Sequence, residues 1–481
     1  MGNMPEIVPA VAATRAADVG GFAAGMVGIG RTARDVLRWR SPATSTAMEK
    51  TSHTAVAALL ALAAARAQTV PYDEAIVVAA TGAQPATLAL AVDLHAGSYT
   101  VLPTLPGDAM PPLAVEVDPI DGSVLVALDS GGSTRVVRRR YAQATEAFVG
   151  TVPGLAVELL VDRFGDVVVA TGGSNGAVQR LPRHGGTAAL IRSTPFLSAA
   201  GAPQALHWNA LLGYSGTVSP PRDPQVADLD LDAGTFAWGP LALTGFQPLG
   251  IRGLLDMPTG VPRQILAHDD GSLSLYSWAI AGGPVPLSVS PPLPNGGIAA
   301  MKAHEAFVGI VLGGAQNPYL YSFDPFPALG GSLVLTTIST ALPGTPVDYA
   351  VRPLAGAQVL QFARPCGVAA ELRIGMLPGT GPHLGNTAFG LAASQGLPLL
   401  PAWLVLGFGE LAYAMPTGCD LGVTPDAIGG RWTDANGDAS LLIPIPAAAG
   451  LVGVRFFGQW LQVDGGTPFL ASDVAMVEIG V

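Results

Sequence analysis

Lysine is almost missing from this chain, occurring only at Lys50 and Lys302 among 481 residues. Cysteine is as scarce, with Cys366 and Cys419 alone, and no CxxC or HExxH spacing occurs, which argues against a cysteine-held or zincin-type metal centre. Charged residues make up only 12% and the formal net charge is −11. An acidic chain without a Lys/Arg patch is a poor partner for nucleic acid or an anionic membrane. After residue 70 no apolar stripe at helical spacing lasts three turns. What is plentiful is Gly (61) and Pro (42), set between short runs of Val, Leu and Ala, the pattern of short strands and turns. The fold class is all-β.

One basic cluster stands out: Arg135, Arg138, Arg139 and Arg140. Strand alternation splits it between two faces, and a solvated edge is expected.

Residues 48–67 carry Lys50, an apolar core from Ala55 to Ala65, and Ala65-Arg66-Ala67, which predicts a secretory signal peptide cleaved before Gln68. Its core of about eleven residues is short of the roughly 20 that span a bilayer. Residues 1–47 then read as a leader from an upstream start. Gly28-Ile29-Gly30-Arg31-Thr32-Ala33 fits G-x-G-x-x-A, but no strand precedes it and no acidic ribose ligand follows, so a nucleotide site is not expected.

The body of the chain repeats. Pro112–Asp118 is followed by a Pro-Ile-Asp-Gly turn and the strands Ser123–Asp129, Thr134–Arg140 and Glu146–Val152. A polar residue four places after a Pro or Gly recurs: Glu116, Glu158, His207, Arg252, Lys302 and Asp348, with Ile298 opening the one degenerate copy. The spacings are 42, 49, 45, 50 and 46 residues, the period of a four-stranded propeller blade. Strands at Ala75–Ala80, Leu88–Leu94 and Tyr99–Leu105 lack an innermost partner, whereas the copy near Asp348 has one to spare. Joining them closes the ring, which predicts a six-bladed β-propeller, with seven blades as the alternative. Gln358–Phe362 fits either that last blade or the domain after it.

Pro112–Arg139 resembles an NHL-type repeat, in which a Pro-led strand ends in Asp, then Asp-Gly, then a second strand ending in Ala-Asp. Leu155–Arg180 is a looser copy, with Asp162 and Gly165-Asp166. The resemblance implies the six-bladed fold and no particular activity.

From Arg364 the period stops. Two cysteines in an exported chain read as one disulfide, Cys366 to Cys419. Strands at Val368–Ile374, Trp403–Gly407, Ala439–Ile445, Leu451–Val463 and Val474–Ile479 suffice for a small β-sandwich-like domain. This region is similar to a C-terminal module of secreted planctomycete proteins, through Pro382-His383-Leu384-Gly385, Thr433-Asp434-Ala435-Asn436-Gly437 and Gly458-Gln459-Trp460 among other pieces. That resemblance implies export and no catalytic role. The expected order is a leader over 1–47, a signal peptide over 48–67, a propeller over 72–362 and the disulfide-bonded domain over 363–481.

In a propeller the repeated polar residues face one axis, so Glu116, Glu158, His207, Arg252, Lys302 and Asp348 form the candidate ligand site lining the channel. Glu116, Glu158, Asn209 and Asp348 would imitate the divalent-metal set of six-bladed gluconolactonase-type enzymes, whose motifs are absent here. The plainer expectation is no cofactor and a wet polar channel whose residues pair with one another. Asp434-Ala-Asn436-Gly-Asp438 starts like a calcium loop but has Ile445 where the bidentate Glu belongs, and it reads better as a hairpin turn. Gly172–Gly176 fits G-x-S-x-G without the strand-to-helix context of a nucleophile elbow, and reads as a turn.

The functional expectation is an exported, non-catalytic binding or structural propeller with a protein or glycan partner. The rivals are a metal-dependent lactonase/hydrolase or polysaccharide-active enzyme using the channel, and a component of a cell-surface assembly.

Overall fold

The computed structural model describes residues 74–481 except 83–85, 196, 202–208, 215–224, 239–250, 258–262, 269–270, 278–284, 290–292, 294–296, 305–307, 324–332, 352–356, 368–370, 416–418 and 463–469. The expected leader, the signal peptide and the Gly28–Ala33 segment lie outside these residues, as does His207. The described residues are nearly all β, with short 3₁₀ turns such as Pro106–Ala109 and Tyr141–Gln143 as their only helical pieces. No described helix is long and apolar enough to cross a membrane.

Among the described residues, six four-stranded antiparallel sheets make up the first part. Their innermost strands are Pro112–Val117, Ala156–Val161, Leu197–Gly201, Ile251–Met257, Ile298–His304 and Thr345–Val351. Each of these contacts the next, and Thr345–Val351 returns to Pro112–Val117, so the strands close a ring as in a β-propeller. Thr345–Val351 pairs with Glu74–Thr81, which pairs with Ala86–Asp93 and then Tyr99–Val101. The closing sheet therefore joins strands from opposite ends of the repeat, as the unpaired strands in the sequence required.

Second strands such as Val124–Asp129 and Val167–Thr171 are almost unbroken runs of Val, Leu and Ala, buried nearly throughout. Such runs form where both sheet faces are covered. Here each face meets a neighbouring sheet. Val115, Val117 and Val126 pack with Ile76, Val78 and Ala350, while Leu159 and Val161 pack with Ala114 and Leu125.

Two-sided cover also corrects the reading of the arginine cluster. Arg139 is fully buried between Asp108 and Glu146, and Arg138 pairs with Asp118 and Asp121. Only Arg140 is half exposed, beside Asp121. Arg135 is half-buried over the Phe148 ring, 5.1 Å from its centroid, so of the four only Arg140 keeps the expected solvated place.

The second part holds a five-stranded sheet in the order Gln358–Phe362, Leu470–Glu478, Arg455–Gln462, Pro401–Gly407 and Ala427–Trp432. Gln358–Phe362 thus pairs with Leu470–Glu478, and the change of architecture falls before Gln358, ahead of the expected boundary at 362/363. A three-stranded sheet, Arg373–Met376, Gly390–Ser394 and Ala439–Leu442, packs against it. The approach is close: a Cβ on Gly429 would lie 2.5 Å from the Leu441 side chain, and one on Gly458 would lie 2.8 Å from Leu391. The Cys366–Cys419 disulfide is present, linking residues 53 apart.

The Asp434–Asp438 turn does not close a hairpin. Ala427–Trp432 pairs with Pro401–Gly407, whereas Ala439–Leu442 pairs with Gly390–Ser394, so this turn carries the chain from one sheet to the other. The Asp434 carboxylate accepts the N–H groups of Asn436 and Asp438. Gly172–Gly176 is a turn between two antiparallel strands, as expected.

Candidate functional site

Every innermost strand carries a one-residue bulge near its start. Pairing skips Leu113, Val157, Ser198, Arg252, Ala299 and Val347 against the second strands or, in the closing sheet, against Glu74–Thr81. A recurring bulge bends each strand at the same place and aligns the sheets better than composition does. On that register Glu158 and Asp348 directly follow the bulge, while Glu116 and Lys302 stand three places after it. Arg252 is the bulge residue, and its side chain lies outside the description, as does that of Asn209. Asn209 opens a second strand, Asn209–Tyr214, away from the innermost position. The innermost strand of that sheet ends at Gly201, ahead of the Pro203 frame that singled out His207. The six polar residues are thus not strict equivalents.

Four of them meet all the same. Lys302 Nζ lies 3.0 Å from Glu158 Oε1, 3.2 Å from Asp348 Oδ2 and 3.5 Å from Glu116 Oε2. It also donates to the backbone oxygen of Val115 at 2.6 Å. Two register positions separate Lys302 from the level of Asp348, about 7 Å along a strand, and a lysine side chain covers that span. This reach explains why residues at two levels converge.

Backbone groups fix the acids. Val115 N–H donates to Asp348 Oδ2 at 2.7 Å, and Glu116 and Glu158 accept the N–H groups of Val117 and Leu159 at 2.9 and 3.1 Å. Tyr349 is fully buried. Its hydroxyl accepts the Lys302 N–H at 2.6 Å and donates to Ile310 O at 2.5 Å, anchoring the lysine strand to its neighbour.

The electrostatics follow from burial. Removal from water pushes Glu158 up to about 8, with Lys302 opposing the shift and Asp348 and Glu116 adding to it. Burial likewise raises Glu116 and Asp348 against the pull of Lys302. Burial alone would lower Lys302, yet Asp348, Glu158 and Glu116 together hold it well above the ordinary lysine value. The ammonium stays charged, and three carboxyl groups share it. Among the described residues no group of three or more His, Cys, Asp or Glu is placed to hold a metal ion.

A second polar network, which sequence reasoning passed over, lies where the two parts meet. Arg183 is buried, and Nη1 binds Asp118 Oδ2 at 2.6 Å while Nη2 binds Glu410 Oε1 at 2.6 Å. Burial would raise Asp121 in the same network, but Arg138 and Arg183 outweigh it and hold that carboxyl below the usual range. Asp118 and Asp162 each pair with an arginine on the third strand of their sheet, Arg138 and Arg180. The strand-ending Asp of the repeat signature was the signal available for this network.

No protein-family model matches the chain, and no curated protein matches it in sequence. Among solved structures, a protein from Lactobacillus plantarum is 16% identical and matches over 76% of this chain and 99% of its own, with a TM-score of 0.38. YCF48 bound to D1 peptide is 10% identical, with 55% of this chain and 78% of that chain covered and a TM-score of 0.37. Likenesses at this level say nothing about activity.

Proposed function

We propose that this chain is an exported, non-catalytic binding or structural protein, in which a six-bladed propeller with a C-terminal β-sandwich-like module presents rigid loops to a protein or glycan partner. One observation carries the reading: the ammonium of Lys302 sits among the axis carboxylates, where a reactive channel would keep room for substrate or metal. Six four-stranded sheets closed in a ring support the blade count. The Cys366–Cys419 disulfide supports an oxidising compartment outside the cytosol. Rigid sheets carrying variable loops suit recognition without reactive groups.

A second reading has its own observation. A carboxyl with a pKa of about 8, as at Glu158, is suited to moving protons near neutral pH, which favours a hydrolase working from the channel. Both readings are tested by assaying the purified chain on lactones, esters and polysaccharides, with and without divalent metals, beside a glycan array and a protein pull-down. The binding reading expects no turnover above the blank, and retention of a partner through one loop face. Turnover that is abolished by Glu158→Gln overturns it.

A further inference from the structure

We infer that Lys302 is the resident counter-ion of the propeller axis, a built-in cation that latches the closing sheet to its neighbours. The inference deepens the reading of the axis as internally neutralised and rests on it. Four oxygens surround Nζ at 2.6–3.5 Å: Val115 O, Glu158 Oε1, Asp348 Oδ2 and Glu116 Oε2. They belong to three sheets, and Lys302 belongs to a fourth. This is the environment of a hard cation, with oxygen donors only and mostly carboxylate. Its bonds also bridge the ring where it is covalently weakest. The closing sheet is held together by pairing between Thr345–Val351 and Glu74–Thr81, strands more than 260 residues apart in sequence. Lys302 ties Asp348 of that sheet to Val115 and Glu158 of the next two. Asp348 then completes the latch by accepting the Val115 N–H at 2.7 Å.

If the ammonium neutralises the axis, its removal leaves three buried acid groups, all ionised only above about pH 8, without their cation, and breaking such a set is strongly destabilising. These acids are not placed to hold a metal ion while Lys302 stands between them, and its removal frees that space for another oxygen-seeking cation. The test compares wild type, Lys302→Met, Lys302→Arg and Lys302→Met/Glu158→Gln by thermal melting at about pH 9, where Glu158 is ionised, in EDTA and in millimolar CaCl2. In EDTA, Lys302→Met should melt about 5–10 °C below wild type. CaCl2 should recover at least half of that loss, while moving wild type and Lys302→Arg by less than about 1 °C, a shift worth well under 1 kcal/mol. The double variant, relieved of one carboxylate, should melt above Lys302→Met in EDTA and respond less to calcium. A Lys302→Met protein that melts with wild type overturns the inference, as does one that calcium fails to raise. Should Lys302→Met not fold in EDTA, calcium decides: recovery of folded protein in CaCl2 upholds the latch, and failure in calcium as well ends it. The readout is stability alone, so turnover by the wild type would sink the binding reading and leave this result standing.

Discussion

Glu158 shares one ammonium with Glu116 and Asp348, and this shortage of positive charge has a consequence for pH. Its folded pKa of about 8 lies above the ordinary glutamate value of 4.5. Below the ordinary value the carboxyl is protonated whether the chain is folded or not, and its contribution to stability is complete. Between the two values the folded protein keeps a proton that the unfolded chain has released, so each step up in pH favours unfolding. Above about 8 that contribution is gone. The melting temperature is therefore expected to fall between about pH 5 and pH 8, and Glu158→Gln should flatten the slope in that window. A variant whose pH profile overlays that of wild type would show that the axis proton sits elsewhere. The sequence made these acids visible as recurring polar residues, but it could not show that their one described cation is a lysine reaching across two register levels.

At the scale of elements, the 3₁₀ turn Pro106–Ala109 joins the closing sheet to the next one and is docked by a buried ion triad. Arg139 Nη1 meets Asp108 Oδ1 at 2.8 Å and Nε meets Glu146 Oε2 at 3.0 Å, with the guanidinium side chain fully buried. Asp108 in turn accepts the Leu105 N–H at 2.7 Å, and Glu146 accepts the Gly107 N–H at 3.3 Å. Truncating one member of such a set leaves the others charged and out of water, which costs about 3–5 kcal/mol. Arg139→Met should lower stability by that order in urea titrations, and Arg139→Met/Asp108→Asn/Glu146→Gln should regain much of it. If the triple variant is no better than the single one, packing and not charge holds the turn. The strands themselves were legible because apolar runs broken by Gly and Pro mark them, and the closing sheet was legible from its missing partner. The repeat frame was less so. A bulge leaves no compositional mark, so counting from Pro or Gly placed Glu116, Glu158 and Arg252 in one column when they occupy three. Burial of Arg139 was hidden for a related reason, because alternation separates two faces but does not tell which of them is dry.

For the whole molecule, the second part is not an appendage on a tether. Ile120, Leu125, Leu159 and Leu181 of the propeller sheets share one buried cluster with Phe362, Val405, Phe457 and Met476. A Cβ on Gly165 would lie 2.8 Å from Ile120 and 3.3 Å from Phe362, which marks how tightly this seam is closed. Arg455 donates to the Ile120 oxygen at 3.2 Å and is itself held by Glu478 at 2.8 Å. Arg183 crosses the same seam between Asp118 and Glu410. Change of period at Arg364 located a second architecture in the sequence, but a continuous core across it has no signature in either part alone. Two bodies that share apolar surface and a buried ion network cannot melt independently, since unfolding one strips the cover from the other. Calorimetry of the full chain should therefore show a single transition. A chain ending at Val351 loses the cover over Ile120 and the Glu410 partner of Arg183, and it should melt at least about 5 °C lower and bind a hydrophobic dye in its native state. Two resolved transitions, with the propeller's own unchanged by the truncation, would mean that the seam contributes contact without coupling.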